Sequence, residues 1–259
     1  MTEDSSRQLT TPAILLRRVE YGDFDLICTF FSLHKGKLSL IAKSAKKSIK
    51  RFAGVLEPFS ALQIVCLSER GKGLPVLQEA TLLEAFSNIR MDIHKTAYAG
   101  YMAELINEWM EEGTAHPRLY RLFQFVLDAL DTGAMPMEAV SILFQMRFMD
   151  LSGFKPNLDH CSFCNAGTGT VQQNRMLFDL KKGGLVCDKC SDMASGRIAL
   201  SRGTIKELLW LSQGDLSKAA RIRFSPLALK EGLAFLEAFV PFHLGKEPRS
   251  LKFIQQIRR

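Results

Sequence analysis

Four cysteines set the tightest constraint on what this chain can fold into. Cys161-Ser-Phe-Cys164 is followed, after 22 residues, by Cys187-Asp-Lys-Cys190. Two residues between cysteines let one tight turn aim both thiolates at a single ion, and two such turns complete a closed tetrahedron. The expectation is one structural zinc ion ligated by Cys161, Cys164, Cys187 and Cys190. The gap slightly exceeds the roughly 15 to 20 residues common in such sites. A longer hairpin arm absorbs the excess, because residues 176–180 read as a strand and Lys182-Gly-Gly184 as the turn before the second pair. The alternatives are redox dithiols or buried free thiols. A redox pair normally stands alone at the end of a strand opening a helix, whereas two pairs occur here, each among Gly, Asn and Asp. Four thiolates leave no open position for water or substrate, which argues against a catalytic ion. His160 is expected outside a ligand shell that four sulfurs already fill, and Lys181, Lys182 and Lys189 are placed to offset its negative charge.

Charge supplies the second constraint. The formal net charge is +7, and its location matters more than its size. From Leu26 to Leu56 there is no acidic residue, while Lys35, Lys37, Lys43, Lys46, Lys47, Lys50 and Arg51 all fall in that window. These seven account for the whole excess and leave 27 basic residues against 27 acidic ones elsewhere. A basic patch on an otherwise balanced protein points to a localised polyanion site, the plainer alternative being a solvated basic surface.

With 259 residues, 47% of them hydrophobic, the chain suits one large or two medium globular domains. Residues 1–10 are polar with two acids and lack a secretory pattern, and no run of 18 apolar residues is present, so a cytoplasmic protein is expected. Cys28 and Cys66 lie in apolar runs and read as small buried hydrophobes.

Residues 13–19, 24–33, 37–44, 61–67 and 76–83 read as five short strands separated by turn residues, among them Tyr21-Gly-Asp23, His34-Lys-Gly36 and Arg70-Gly-Lys-Gly73. The second strand is apolar on both parities and is expected to be covered on both faces. Five strands in so short a span fit a small barrel, with the OB-fold as the candidate. Lys37 and Lys43 share the outward face of the third strand, and Lys35, Lys37 and Lys43 can follow a phosphate backbone. Lys46, Lys47, Lys50 and Arg51 extend that track through a loop. Phe52, alone among these charges, is the expected base-stacking ring, whereas Phe24 and Phe30 are assigned to the core.

After residue 84 the pattern becomes helical. Ile93, Ala97, Tyr101, Leu105 and Trp109 recur every four residues, and helices opening at Pro117 and Pro136 end at Gly133 and Gly153. Beyond the cysteines, Thr204-Ile-Lys-Glu207 reads as a capping box, Ser225-Pro226 opens a helix running to Leu244, and residues 251–259 form the last turns. The expected class is α+β: an OB-fold nucleic-acid-binding domain over 1–84 and a helical domain over 85–259, carrying a zinc-binding insert at 159–192.

This order of parts resembles the RecO family of bacterial recombination mediators. The matching stretches are Tyr21-Gly-Asp-Phe-Asp-Leu-Ile27, Gly36-Lys-Leu38, Ala42-Lys-Ser-Ala-Lys-Lys47, Leu56-Glu-Pro-Phe59, Met149-Asp-Leu-Ser-Gly-Phe-Lys-Pro156 leading into Cys161, Gly183-Gly-Leu-Val-Cys187, and His243-Leu-Gly245 followed by Ser250. The family often carries a Gly-Ala-Arg-Arg type segment where this chain has Lys43-Ser-Ala-Lys-Lys47, which keeps the charge and gives up bidentate phosphate gripping by arginine. The resemblance implies a non-enzymatic role: binding single- and double-stranded DNA, annealing complementary strands, and acting with RecR to help RecA replace single-strand-binding protein. It also implies docking of the acidic tail of single-strand-binding protein on the helical domain, for which Arg118 and Arg121 are the candidate contacts. Competing readings are an RNA-binding or translation-associated factor and, from another class, a zinc hydrolase or thiol oxidoreductase. No Ser/His/Asp series, paired carboxylates or phosphate loop supports an enzyme.

Overall fold

Alternating apolar residues between turn-forming glycines build five strands: β1 (Gln8–Tyr21), β2 (Asp25–Ser32), β3 (Gly36–Ala42), β4 (Ala61–Leu67) and β5 (Val76–Glu84). The computed structural model describes residues 8–48, 51–52, 54–67, 73–168, 174–212, 215–219 and 221–258. By its internal contacts the chain divides into two units, Met1–Asp131 and Thr132–Arg259.

In the first unit the strands close in the order β1-β2-β3-β5-β4, with β4 returning to β1 and a parallel β3–β5 pair at Ile41↔Val76. This is the expected OB-type barrel. Inward residues of every strand fill it, among them Leu15, Cys28, Phe30, Leu40, Leu62, Ile64 and Leu77. The other face of β2 is also covered where Phe31, fully buried, meets Tyr120 with ring centroids 6.2 Å apart. Tyr120 belongs to α3 (Pro117–Thr132), which follows α1 (Ser87–Arg90) and α2 (Ile93–Trp109). Asp92 caps α2, its carboxylate accepting from the backbone N–H groups of His94 at 2.8 Å and Lys95 at 3.1 Å.

The second unit opens with α4 (Met137–Leu151), which is buried nearly all round. A three-stranded antiparallel sheet follows, ordered β7-β6-β8, from β6 (Arg175–Asp179), β7 (Gly184–Val186) and β8 (Arg197–Ser201). The chain continues as α5 (Arg202–Ser212), α6 (Leu216–Ala219), α7 (Pro226–Leu244) and α8 (Arg249–Ile257). α7 packs against α4, α5 and β8. Its Phe235 and Phe239 meet Phe178 of β6 edge-on, at 4.6 and 5.4 Å between centroids. As expected, Ser225 caps α7, accepting from the Ala228 N–H at 3.2 Å, and Gly245 ends it at φ +74°. Among the described residues no helix is long and apolar enough to cross a membrane.

The capping box is corrected. α5 begins two residues before Thr204, and the cap is Ser201, whose Oγ accepts from the Thr204 N–H at 3.2 Å. The Thr204 hydroxyl instead donates to Glu231 Oε2 at 2.6 Å, and Glu207 accepts from both the N–H and the hydroxyl of Ser225. A glycine is tolerated in a first turn, so the helix extends back past Gly203 to a better-placed serine.

Candidate metal centre and nucleic-acid interface

The two cysteine pairs converge. The Sγ atoms of Cys161, Cys164, Cys187 and Cys190 all lie within 4.8 Å of one another, with Cys164 and Cys187 at 3.6 Å. A tetrahedral ion with metal–sulfur bonds of about 2.3 Å requires sulfurs roughly 3.8 Å apart, so the four thiols can hold one metal ion. Each pair is shaped by its own backbone. The first turn closes through the Cys161 N–H donating to Ala166 O and the Asn165 N–H donating to Cys161 O, both at 2.9 Å. The Ser162 N–H then docks this turn on Leu185 O of β7 at 2.8 Å. Gly184 permits the approach, since a Cβ there would lie 2.2 Å from Ser162 Oγ. The second turn is a stretch of 3-10 helix, Asp188–Met193, in which the Cys190 N–H donates to Cys187 O at 3.0 Å.

The electrostatics of the sulfurs suit a cation. Burial raises the Cys161 thiol, but backbone N–H groups of Cys164, Cys187 and Phe163 aimed at it outweigh that and bring it down to about 6. At Cys190 burial and the neighbouring sulfurs act together and push the thiol up to about 12. Four sulfurs this close cannot all be thiolates without a positive charge among them. Cys161, Cys187 and Cys190 are buried and Cys164 is exposed. His160 is exposed and outside the cluster. Of the three nearby lysines, Lys182 lies with Nζ 5.5 Å from the centroid of Phe163, inside the first hook.

Two buried carboxylates brace the sheet that carries the cysteines. Asp179, 1% exposed, accepts from the N–H groups of Lys182 at 2.9 Å and Ser195 at 2.6 Å, closing the turn into β7 and pinning the segment after Cys190. Glu231 of α7, 8% exposed, accepts from Arg175 of β6 at 2.9 Å, the Ser201 N–H of β8 at 2.8 Å and Thr204 of α5. Burial would raise each carboxyl, and these donors hold both below their ordinary values. Sequence reading missed both residues, because nothing in their local spacing distinguishes them from surface acids.

The basic segment of the barrel divides into three groups. Lys35 is exposed in the β2–β3 turn, and Lys43 is exposed at the end of β3. Lys46 and Lys47 sit on a 3-10 turn, Ala45–Lys47, tied to the β1–β2 hairpin by the Lys46 N–H donating to Phe24 O at 3.0 Å and the Ser44 N–H donating to Asp25 Oδ1 at 2.7 Å. Lys46 Nζ pairs with Glu20 at 2.8 Å. The exposed Arg51 turns back to donate to Lys43 O at 2.9 Å, and its guanidinium lies 4.9 Å from the Phe52 ring centroid. Lys50 lies outside the described residues.

Lys37 has a different employment. Its ammonium donates to Asn107 O at 2.8 Å near the end of α2, the Gly113 N–H donates to Lys37 O at 3.1 Å, and Ser39 donates to Glu112 at 2.6 Å. The chain after α2 thus covers the start of β3, and it comes so near that a Cβ on Gly36 would sit 1.8 Å from Thr114 O.

The exposure of two of the aromatic rings is the reverse of that expected. Phe52, the expected stacking ring, is only 4% exposed and joins Leu56 in plugging the barrel core. A lone ring among charges still gains most by burying its area, and the loop lets it turn inward. Phe24, assigned to the core, is 42% exposed, with Lys47 Nζ 3.3 Å from its ring centroid. Phe30 is fully buried as expected. Arg118 and Arg121 are exposed on α3 beside buried Leu119 and Leu122.

Comparison with known proteins agrees along the whole chain. Residues 6–86 match the family model described as recombination protein O N terminal, and residues 90–252 match recombination protein O C terminal. A protein of Desulfatibacillum aliphaticivorans named DNA repair protein RecO is 46% identical over 97% of this chain and 98% of its own length. Its namesake in Desulfosudis oleivorans is 41% identical over 96% of this chain and 98% of its own. One from Anaeromyxobacter sp. strain K is 34% identical over 94% of both.

Proposed function

From the chain's membership of the recombination protein O family, we propose that it is a non-enzymatic DNA-repair mediator that binds single- and double-stranded DNA and anneals complementary strands. Working with RecR, it assists RecA in replacing single-strand-binding protein. The observation that carries this reading is the Lys46–Lys47 turn, fastened by hydrogen bonds to the β1–β2 hairpin of an OB-type barrel and lying in a stretch of sequence, Leu26 to Leu56, that holds no acid. Phosphate contacts made by lysines and Arg51 are sequence-independent, which suits a protein that must act on any strand. The Lys46–Glu20 pair is solvent-exposed and therefore weak, so phosphate can displace the carboxylate.

The ion held by the four cysteines is read as zinc, because an all-thiolate tetrahedral set matches its preferences. Its role is to fix the sheet, and it takes no part in chemistry. Arg118 and Arg121 are proposed to pair with the carboxylates of the acidic tail of single-strand-binding protein. Reversing both charges should abolish capture of a tail peptide and spare naked-DNA binding. The site of action is the cytoplasm, on the nucleoid.

The testing experiment is annealing of complementary strands precoated with single-strand-binding protein. The protein should accelerate annealing, and Lys46→Glu with Lys47→Glu should remove the acceleration. No acceleration, or stronger binding to RNA of equal length than to DNA, would favour an RNA-binding factor.

A further inference from the structure

We infer that Phe24 is a base-stacking platform for single-stranded nucleic acid, with Lys47 as its phosphate-side partner. This rests on the DNA-binding reading and adds a residue and a mode of contact to it. Phe24 stands in the turn of the β1–β2 hairpin, 42% exposed, whereas Phe30 and Phe52 are buried in the barrel core. Single exposed rings are common on protein surfaces, and what singles this one out is the cation held against it.

Its surroundings say which ligand. The Lys47 ammonium lies 3.3 Å from the ring centroid, a cation–π contact that steadies the ring from one side and concentrates positive charge beside it. The backbone around the ring is held as well, since Phe24 O accepts from the Lys46 N–H and the neighbouring Asp25 carboxylate accepts from the Ser44 N–H. Ring and cations therefore move as one piece. Lys43, Lys46 and Arg51 lie on the same turn and the loop that follows it. An aromatic face rigidly coupled to several cations suits a polymer that presents a flat π-system and a phosphate at each step. An acidic peptide without an aromatic side chain would satisfy the cations and leave the ring uncovered. A duplex would satisfy the cations too, but its bases are already stacked on one another, so the platform selects unpaired strands.

The test uses the whole protein and two oligonucleotides of equal length, one with bases and one abasic, each titrated across salt. Wild type should bind the base-containing strand more tightly than the abasic one. Phe24→Ala should weaken binding to the base-containing strand by roughly five- to 150-fold, the span of one stacked base, and leave the abasic strand unaffected. Phe24→Leu, which keeps apolar bulk on the hairpin, should behave as Phe24→Ala, and Phe24→Trp should restore wild-type binding. The salt slope should stay the same in all variants, because no phosphate contact is lost. Equal losses on both strands, or rescue by leucine, would overturn the stacking role while leaving DNA binding intact. If wild type binds neither strand, the DNA-binding reading itself fails and the platform with it.

Discussion

Cys28 in the barrel and Cys161 in the turn docked on the three-stranded sheet are both almost completely shielded from solvent, and they behave as different residues. Burial dominates at Cys28 and pushes its thiol up to about 11 against the opposing charge of Arg18. Three N–H groups converge on Cys161 and override burial, to about 6. The contrast follows from how each sheet is completed. The barrel's ladder returns on itself, so its cysteines need only fill space. The second sheet has strands of five, three and five residues, too short to stand by ladder bonds alone, and it is completed by side chains that cross-link it. One unit is held by closure and the other by clasps.

The sharpest way to break that comparison is to open the largest clasp. Structural zinc sites contribute on the order of 10–16 kcal/mol of apparent binding energy. Cys187→Ser, or metal withdrawal by a chelator, should unfold the β6–β8 sheet while the barrel's amide protons stay protected from exchange. Cys28→Ser should cost only about 1–3 kcal/mol, the penalty of a poorly satisfied buried hydroxyl. Comparable damage from the two serines would erase the distinction.

A smaller effect is expected at Glu231. Glu231→Gln removes the charge from three hydrogen bonds and should cost about 1.5–3 kcal/mol. Because the folded-state carboxyls of Glu231 and Asp179 are held low, their stabilisation is complete above the ordinary values of 4.5 and 3.8 and is lost as pH falls below them. The Thr132–Arg259 unit should thus show a falling melting temperature in that range, and Glu231→Gln should flatten the fall. A variant as acid-sensitive as wild type would remove Glu231 from the set of clasps.

The smallest effect tests whether Lys37 is structural or belongs to the proposed phosphate track. Lys37→Met deletes the bond to Asn107 O and should cost about 1 kcal/mol, the net worth of a half-exposed hydrogen bond, without altering the salt dependence of DNA affinity. A flatter slope in that variant would return Lys37 to the phosphate track.

These residues also show what sequence could and could not supply. The metal cluster was legible because ligand spacing is a local rule, and the barrel because strand alternation and turn glycines are local too. The hydrogen bond of Lys37 could not be foreseen because its partner Asn107 lies 70 residues away. Outward parity on a strand says which side a residue leaves the sheet, not what else comes to cover that side. Phe52 is buried and Phe24 exposed, the reverse of the expectation, for a related reason: neighbouring charge in sequence does not report whether a loop folds over the barrel mouth. Asp179 and Glu231 carry no spacing signal, since their donors come from separate elements of the second unit.

The central claim places the polyanion site on the barrel's basic turn, and the dependence of single-strand affinity on salt tests it most directly. With Lys43, Lys46, Lys47 and Arg51, and Lys35 at the other end of the β2–β3 hairpin, each neutralising a phosphate, the slope of log affinity against log salt should be about −3.5. Reversing Lys46 and Lys47 to glutamate should weaken binding to every sequence alike and flatten the slope to about −2. An unchanged slope in that double variant would contradict the account and move the site elsewhere, with the basic residues of α8 the first surface to examine.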